Sequence, residues 1–437
     1  MPKQYIRSVE VRDFRNISYA KADFSKEINI IYGENRQGKT NFIEAVWLLS
    51  GGKSFRGTKD RDMIGFGKEQ FRIEGIVRGA GGDEKITVAC SNKNPKFQSR
   101  MAKLGTGDFL APGKIVGNFY CVIFSPVHLN IVSGGPALRR KFIDACLCQM
   151  YPGFVDNYRR YNHALELRNK FLKNYVMYDD DHRQVMFETA DRALARAGYE
   201  ICKSRKEFCR YVSQRAKYYY DKISMGKEEL SLVYKPTGES RQEIYDILSR
   251  QRKRDVAAGH TVNGIHREDL DIFLNRVPAK EYASQGQQRS IVIALKLAES
   301  DIMEEITGIA PVILLDDVLS ELDFQRQDYL LNNIKDKQVF ITSCDSGRIA
   351  LSNSKKFYVE NGTVTNIIWL YPANASDFPS AVPCGDLPVA IGDTYDGEHF
   401  YRAGERVLTA LEQAQKDAED MAAALELLGV TTEQEVE

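Results

Sequence analysis

Residues 33–40, Gly33-Glu34-Asn35-Arg36-Gln37-Gly38-Lys39-Thr40, fit the pattern G-x-x-x-x-G-K-[ST]. In such a loop the two glycines let the backbone curl, so that successive N–H groups converge on phosphate oxygens. Lys39 would reach the β- and γ-phosphates, the Thr40 hydroxyl would ligate Mg²⁺, and Asn41 would follow beside the same nucleotide. About one random chain in fifty to a hundred of this length would show the pattern by chance, so context has to decide. A second group supplies carboxylates: Val312-Ile313-Leu314-Leu315 runs directly into Asp316-Asp317. Asp316 would hold Mg²⁺, directly or through water, and Asp317 would take the proton of an attacking water as general base. A third group, Ser284-Gln285-Gly286-Gln287-Gln288-Arg289, opens a helix. Its serine hydroxyl and its glycine N–H are suited to a phosphate, although a serine at a helix start is by itself commonplace.

These groups need particular elements behind them. Ile28 to Tyr32 is a short apolar run closed by Gly33, and Asn41 to Leu49 has helical character, so the loop sits between a buried strand and a helix. An uninterrupted apolar run such as 312–315 suits a parallel strand buried on both faces, whose C-terminal end faces a ligand crevice. Residues 1–135 hold further β-type runs, including 6–11, 86–88 and 120–124. Glycine then becomes scarce, and residues 136–258 read as a mainly helical block with long helices at 155–175 and 183–222. Residues 259–370 return to α/β texture. The simplest architecture is one α/β nucleotide domain built from both ends of this region, with the helices inserted. From 371 to 437 the chain turns Pro/Gly/Ser/Asp-rich and then Ala/Leu/Glu-rich, with a helix expected over 403–428.

The chain has 437 residues, 43% hydrophobic and 27% charged, which excludes a fibrous or wholly disordered protein. No apolar run reaches the 18 or so residues of a membrane span, and MPKQYIRSVEV lacks an export-signal core, so a cytoplasmic location and no membrane partner are expected. The formal charge of zero conceals an asymmetry: residues 371–437 carry 14 acids and 3 bases, leaving +11 on residues 1–370. That excess can draw an anionic partner such as nucleic acid, or simply be a solvated surface. Arg159, Arg160, Arg168, Lys170, Lys203, Arg205, Lys206, Arg210, Arg215 and Lys217 on the helical block can contact phosphates, with solvated helix faces as the competing reading. The eight cysteines show no zinc-type spacing and read as reduced thiols.

The order of phosphate loop, long helical stretch, SQGQQ, then LLDD and Ser-Glu-Leu-Asp resembles the ABC-type ATPase heads of SMC and Rad50 proteins. Further strings narrow the resemblance to the RecF family: FRN (Phe14–Asn16), GKSFR (Gly52–Arg56), FSP (Phe124–Pro126), RRKFID (Arg139–Asp144), HRED (His266–Asp269), Tyr282–Glu299, Ile313–Asp323 and QVFIT (Gln338–Thr342). The resemblance covers about residues 3–364. The resemblance implies an α/β fold: an ABC-type ATPase head with a mixed β lobe, a parallel-sheet core and an inserted helical domain. It implies ATP and Mg²⁺, with Arg15 and Asn16 near the nucleotide. It further implies that Ser284, Gly286 and Gln287 act on ATP held by a second copy, so that ATP closes a homodimer on DNA and weak, slow hydrolysis releases it. Gap repair, replication-fork maintenance, a link to the SOS response, and work with RecR and RecO to load RecA on single-stranded DNA are likewise implied, on single-stranded, gapped or junction DNA. Arg36 stands where a small residue is common, Val127-His128 where the family has Glu-Asp, and Ile265 where it has Pro; Thr342 occupies the switch position that is His in transporters.

Other classes fit less well. A transporter energy subunit would not carry SQGQQ, a threonine at 342 or this helical insert. A nuclease gated by ATP would need a metal-carboxylate domain, and 371–437 shows no DxD cluster. HRED can touch nucleotide or couple the lobes, or it can be a structural polar turn, and these readings stand.

Overall fold

Residues 312–315 alternate between two hydrophobic cores. Ile313 and Leu315 lie in one, with Val339, Ile341, Val122 and Phe124. Val312 and Leu314 lie in the other, with Phe340, Cys121 and Ile123. A strand covered on both faces can afford no polar position, which is why this run is wholly apolar.

The computed structural model describes residues 4–93, 99–344, 354–360 and 362–367, with strand segments at 394–395, 400–402 and 405–406. The elements run β1 (Tyr5–Phe14), β2 (Ile17–Asp23), β3 (Ile28–Tyr32), α1 (Lys39–Leu48), β4 (Gln70–Gly79), β5 (Gly82–Ser91), β6 (Met101–Leu104) and β7 (Cys121–Phe124). Then come α2 (Asn130–Ser133), α3 (Pro136–Met150), α4 (Pro152–Lys173), α5 (Asp180–Ser224), β8 (Leu230–Lys235) and α6 (Arg241–Ala258). The last portion holds β9 (Asp269–Leu274), β10 (Val277–Pro278), α7 (Ala279–Tyr282), α8 (Gln285–Thr307), β11 (Val312–Leu315), α9 (Phe324–Ile334), β12 (Val339–Ser343), β13 (Ser354–Glu360) and β14 (Thr363–Ile367).

A six-stranded sheet, ordered β14-β13-β3-β12-β11-β7, forms the centre. Its pairs β13–β3, β3–β12, β12–β11 and β11–β7 are all parallel. An antiparallel sheet, β2-β1-β4-β5-β6, lies over one face. Helix α1 is buried along most of its length, and its side chains join the core shared with that antiparallel sheet. A helix apolar on nearly every side suits such a position. The other core is covered by α8 and the helical block. A small antiparallel sheet, β10-β9-β8, joins a strand within the block to two that follow it.

The chain divides into two units, residues 1–366 and 367–437. In the second, β15 (Thr394–Tyr395), β16 (Phe400–Arg402) and β17 (Glu405–Arg406) form a small antiparallel sheet. The helix expected over 403–428 is corrected at its start, where Glu405 and Arg406 pair with Arg402 and Tyr401. The spaced leucines begin only at Leu408, so these two residues contribute nothing to a helix face. The remainder of that span lies outside the described residues.

The longest element is α5, 45 residues and roughly 68 Å at about 1.5 Å per residue. Asp179 caps its first turn by accepting from the His182 N–H at 2.9 Å. Two buried arginines pin it to its neighbours. Arg168 on α4 donates to Asp191 at 2.8 Å, to Asp255 on α6 at 2.7 Å and to Thr261 at 2.8 Å. Arg205 donates twice to Asp144 on α3, each at 2.8 Å, and once to Glu268 at 2.8 Å. Arg168 and Arg205 are therefore not available to DNA phosphates, which corrects their sequence reading. Charged side chains at helical spacing look solvated until distant carboxylates are seen to meet them.

Seven described cysteines are free thiols, and Cys344 alone among them is exposed. Burial pushes the Cys90 and Cys202 thiols up to about 11 and Cys148 up to about 12, so they are protonated and unreactive near neutrality. Among the described residues, no helix is long and apolar enough to cross a membrane.

Replacing Arg168 by alanine takes the ion pair from Asp255 and leaves Asp191 to Arg252 alone, both carboxylates wholly buried beside an empty space. Urea unfolding followed by circular dichroism should register a loss of roughly 3–5 kcal/mol. A loss below about 1 kcal/mol, the size of a surface pair, would contradict this role.

Candidate functional site

The phosphate loop leaves β3 at Gly33 and enters α1 at Lys39. Gly33 has φ 151°, and a Cβ there would lie 2.3 Å from the Val359 carbonyl oxygen of β13. Glycine is required by that close approach. Gly38, φ 116°, is the N-cap of α1 and makes no side-chain cap; the first turn holds no acid. The leading N–H groups of α1 thus keep their positive character, as an anion site needs. Arg36 adopts a left-handed conformation, φ 68°, and is exposed, as are Glu34 and Asn35. The buried Lys39 amine donates to the carbonyls of Gly33 at 2.7 Å and Glu34 at 2.8 Å.

The strand ends bring the acids to this loop. The Thr40 hydroxyl donates to Asp316 Oδ1 at 2.8 Å. The Thr342 hydroxyl, at the end of β12, lies 3.2 Å from the same oxygen and accepts from the Asp317 N–H at 2.8 Å. Ser125, just past β7, lies 3.4 Å from Asp316 Oδ2. Burial pushes the Asp316 carboxyl above its usual range, with the Asp317 charge adding, while the Thr40 and Thr342 hydroxyls pull it down. Asp317 has φ 54°, and its Oδ1 accepts from Ser320 at 2.9 Å. A hydroxyl and a buried carboxylate side by side form a hard-oxygen donor pair, which fits Mg²⁺. A cation there would favour ionised Asp316. The uncapped helix and the loop amine fit the phosphates.

Arg15 and Asn16 brace the loop from the turn after β1. Arg15 grips Glu44 on α1 through two nitrogens, at 2.5 and 3.1 Å, and Thr58 at 2.8 Å. Glu44 is fully buried and also accepts from Ser54 at 2.5 Å. Asn16 Oδ1 accepts from Asn41 at 2.7 Å, and Arg56 donates to Asn41 Oδ1 at 2.8 Å. The strings FRN and GKSFR therefore meet around α1.

Residues outside the sequence reading also line the loop. The exposed Cys344 thiol donates to Asn35 Oδ1 at 2.9 Å and lies 3.7 Å from the Lys39 amine. The Gly362 N–H donates to the Gln37 carbonyl at 3.0 Å, and a Cβ on Gly362 would be 2.1 Å from the Asn16 carbonyl. The dipeptide Asn361-Gly362 carries a turn signal in the sequence. Nothing in its spacing points to a phosphate loop over 300 residues away. His128 closes a capping box with Ser125, its Nδ1 accepting from the Ser125 N–H at 3.1 Å. Burial holds this imidazole well below its usual range, so it is neutral at pH 7.

The signature makes a separate set of hydrogen bonds. Ser284 is the exposed N-cap of α8 and forms a capping box with Gln287. Gly286 sits in the first turn, its carbonyl accepting from Ser290 at 3.0 Å. HRED ties to the helical block: Glu268 meets Arg205, and Asp269 holds Arg139 at 2.7 and 2.9 Å. His266 Nδ1 accepts from Tyr161 at 2.8 Å, and Nε2 faces the Thr261 carbonyl at 3.1 Å. Several basic residues of the block are already engaged: Lys217 with Glu229, Lys206 with Glu239, and Arg215 with Glu305.

An AAA domain model matches residues 8–254. The DNA replication and repair protein RecF of Ruminiclostridium cellulolyticum is 34% identical over 374 residues, covering 82% of this chain and 98% of that protein. A solved structure of the recombination mediator protein RecF-ATPrS in the RecFOR pathway is 33% identical, with TM-score 0.76, covering 84% of this chain and 99% of that one. The RecF-ATP structure from the same pathway gives TM-score 0.76 at 33% identity.

His266 yields a pH dependence. Burial, helped by the Arg267 and Arg140 charges, lowers it from 6.5 to about 4. The unfolded chain therefore binds the proton that the folded one refuses. Its contribution is complete above pH 6.5 and is lost as pH falls towards about 4. His266→Gln should remove up to one proton from the uptake on unfolding in that window, measured as the slope of unfolding free energy against pH. An unchanged slope would contradict a buried neutral imidazole.

Proposed function

The chain belongs to the RecF family of DNA replication and repair proteins, and from that premise we propose that it is an ATP-dependent DNA-binding switch of recombinational gap repair and replication-fork maintenance. The observation that carries this reading is the junction at Asp316, where Thr40 of the phosphate loop and Thr342 of the neighbouring strand both meet one buried carboxylate.

Bound ATP would supply the concentrated negative charge and the transferable phosphoryl group, and Mg²⁺ would offset part of that charge. The loop N–H groups from Glu34 to Gly38 and the start of α1 receive the phosphates, and the Lys39 amine leaves the Gly33 and Glu34 carbonyls to pair with them. Thr40 and Asp316 would hold the cation. Asp317 Oδ2, the oxygen that Ser320 leaves free, accepts the proton of an attacking water. Ser284, Gly286 and Gln287 of one copy close over the nucleotide held by another, so that ATP favours a homodimer. The protein is then a weak, DNA-stimulated ATPase whose slow turnover ends the closed state.

DNA would be held through its backbone by the excess of bases on residues 1–370, without base-edge readout, so binding should weaken steeply with salt. Single-stranded, gapped or junction DNA, cytoplasmic work with RecO and RecR in loading RecA, and a link to the SOS response complete the proposal. The RecFOR pathway named for the solved relatives supports RecO and RecR as partners.

Sedimentation on gapped DNA tests the switch. Wild type should dimerise with ATP, Lys39→Ala should lose ATP binding, and Asp317→Asn should accumulate as a long-lived dimer. Nucleotide that changes neither self-association nor DNA affinity would contradict the proposal, as would Mg²⁺-dependent cutting of the DNA.

A further inference from the structure

The long helix α5 ends at Ser224, and the chain turns through Met225 (φ 54°) and Gly226 (φ 71°) towards β8. The turn is pinned on both sides. The Gly226 N–H donates to the Asp221 carbonyl at 2.8 Å, and Glu229 exchanges hydrogen bonds with Asn275, each at 2.8 Å. Between these anchors stands Glu228, half-buried. Its Oε2 accepts from the Tyr220 hydroxyl of α5 at 2.5 Å, and its Oε1 accepts from Gln287 Nε2 at 2.6 Å. Tyr220 is 1% exposed, and both burial and this carboxylate raise its pKa, so the hydroxyl stays a donor.

This pairing decides which way the Gln287 amide faces. With Nε2 on the carboxylate, Oε1 is turned to the Ser284 N–H, which it accepts at 2.7 Å. The reversed amide would put oxygen against carboxylate and NH₂ against N–H, two repulsive contacts in place of two bonds. The Gln287 N–H in turn donates to Ser284 Oγ at 3.2 Å. With that oxygen engaged as acceptor, the serine proton is kept clear of the Gln287 N–H. Ser284 is exposed and its hydroxyl proton stays available as a donor, which is what capping a second copy's phosphate requires.

We propose that Glu228 is a positioning residue that sets the signature for closure and ties it to the helical block. Its role rests on the reading of Ser284 as a group acting across two copies. The link is mechanical as well as polar. Farther along the same two helices, Tyr219 donates to Asp301 and Arg215 pairs with Glu305. A shift of α5, whatever partner causes it, is therefore carried to α8 and the Gln287 amide.

The test uses the full chain and two readouts, ATP affinity under non-associating conditions and the ATP-dependent dimerisation constant. Glu228→Ala should weaken dimerisation about tenfold while leaving ATP affinity within about twofold. Glu228→Gln should restore it, because its carbonyl can accept from Gln287 and its NH₂ can donate to the Tyr220 oxygen. Tyr220→Phe, which removes a single hydrogen bond, should fall between, and serves if Glu228→Ala does not fold. Ser284→Ala is the reference for the composite pocket. Loss in Ser284→Ala with wild-type dimerisation in Glu228→Ala and Tyr220→Phe overturns the positioning role alone. Failure of Glu228→Gln to rescue overturns it too. Wild-type association that ignores ATP, or Ser284→Ala that dimerises normally, overturns the composite pocket and this role with it.

Discussion

The Asp316 carboxylate is the constraint on which the rest of the site depends. It caps an apolar strand with no polar alternative for burial, and its oxygens are reached by hydroxyls from Thr40, Thr342 and Ser125. Those residues belong to three separate stretches of the chain. A buried carboxylate without partners is costly, so its hydrogen bonds fix the relative positions of the phosphate loop, the end of β12 and the turn after β7. Parallel pairing then sets the register, with Leu315 beside Phe124 and Ile341. The geometry around Asp316 follows from strand order as much as from side chains.

A second constraint joins the ATPase core to the helical block. Arg205 on α5 is shared between Asp144 and Glu268, while Arg139 on α3 holds Asp269 in a bidentate pair. The family strings RRKFID and HRED thus meet each other. Pairs of this kind contribute little net stability against a well-packed apolar alternative, yet are costly to break. They specify one packing of α5. That helix also lies along α8, whose N-terminus bears Ser284, so the block and the signature form one mechanical element.

Much of this could be read from the residues alone, and the reason is physical. The phosphate loop is local: glycine spacing, a preceding apolar run and a following helix suffice. The strand 312–315 is legible because burial on both faces leaves a continuous apolar signature. The long helices are legible from the scarcity of glycine after residue 136, and the stretch 183–222 lies inside the observed α5. What escaped were long-range meetings. Glu44 among Arg15 and Ser54, and Gly362 against Asn16, join residues whose spacing carries no information about contact. Arg168 and Arg205 read as surface charge because periodicity cannot reveal a carboxylate arriving from another helix. Glu228 stood in an unremarked turn, since a lone acid there has no local pattern to mark it. The tail was misread at Glu405 because its leucine spacing was extended one turn too far towards the N-terminus.

The central claim is that one copy's signature closes on the other copy's phosphate loop. The most direct measurement is an electron–electron distance between spin labels on Tyr282→Cys, beside the signature, in one copy and Thr363→Cys, beside the phosphate loop, in another. Cys344 is replaced by serine in both chains, because it is exposed at the loop. An intermolecular distance that appears with saturating ATP and is absent without it is the predicted result. Labels that remain uncoupled when ATP saturates the protein would contradict the account.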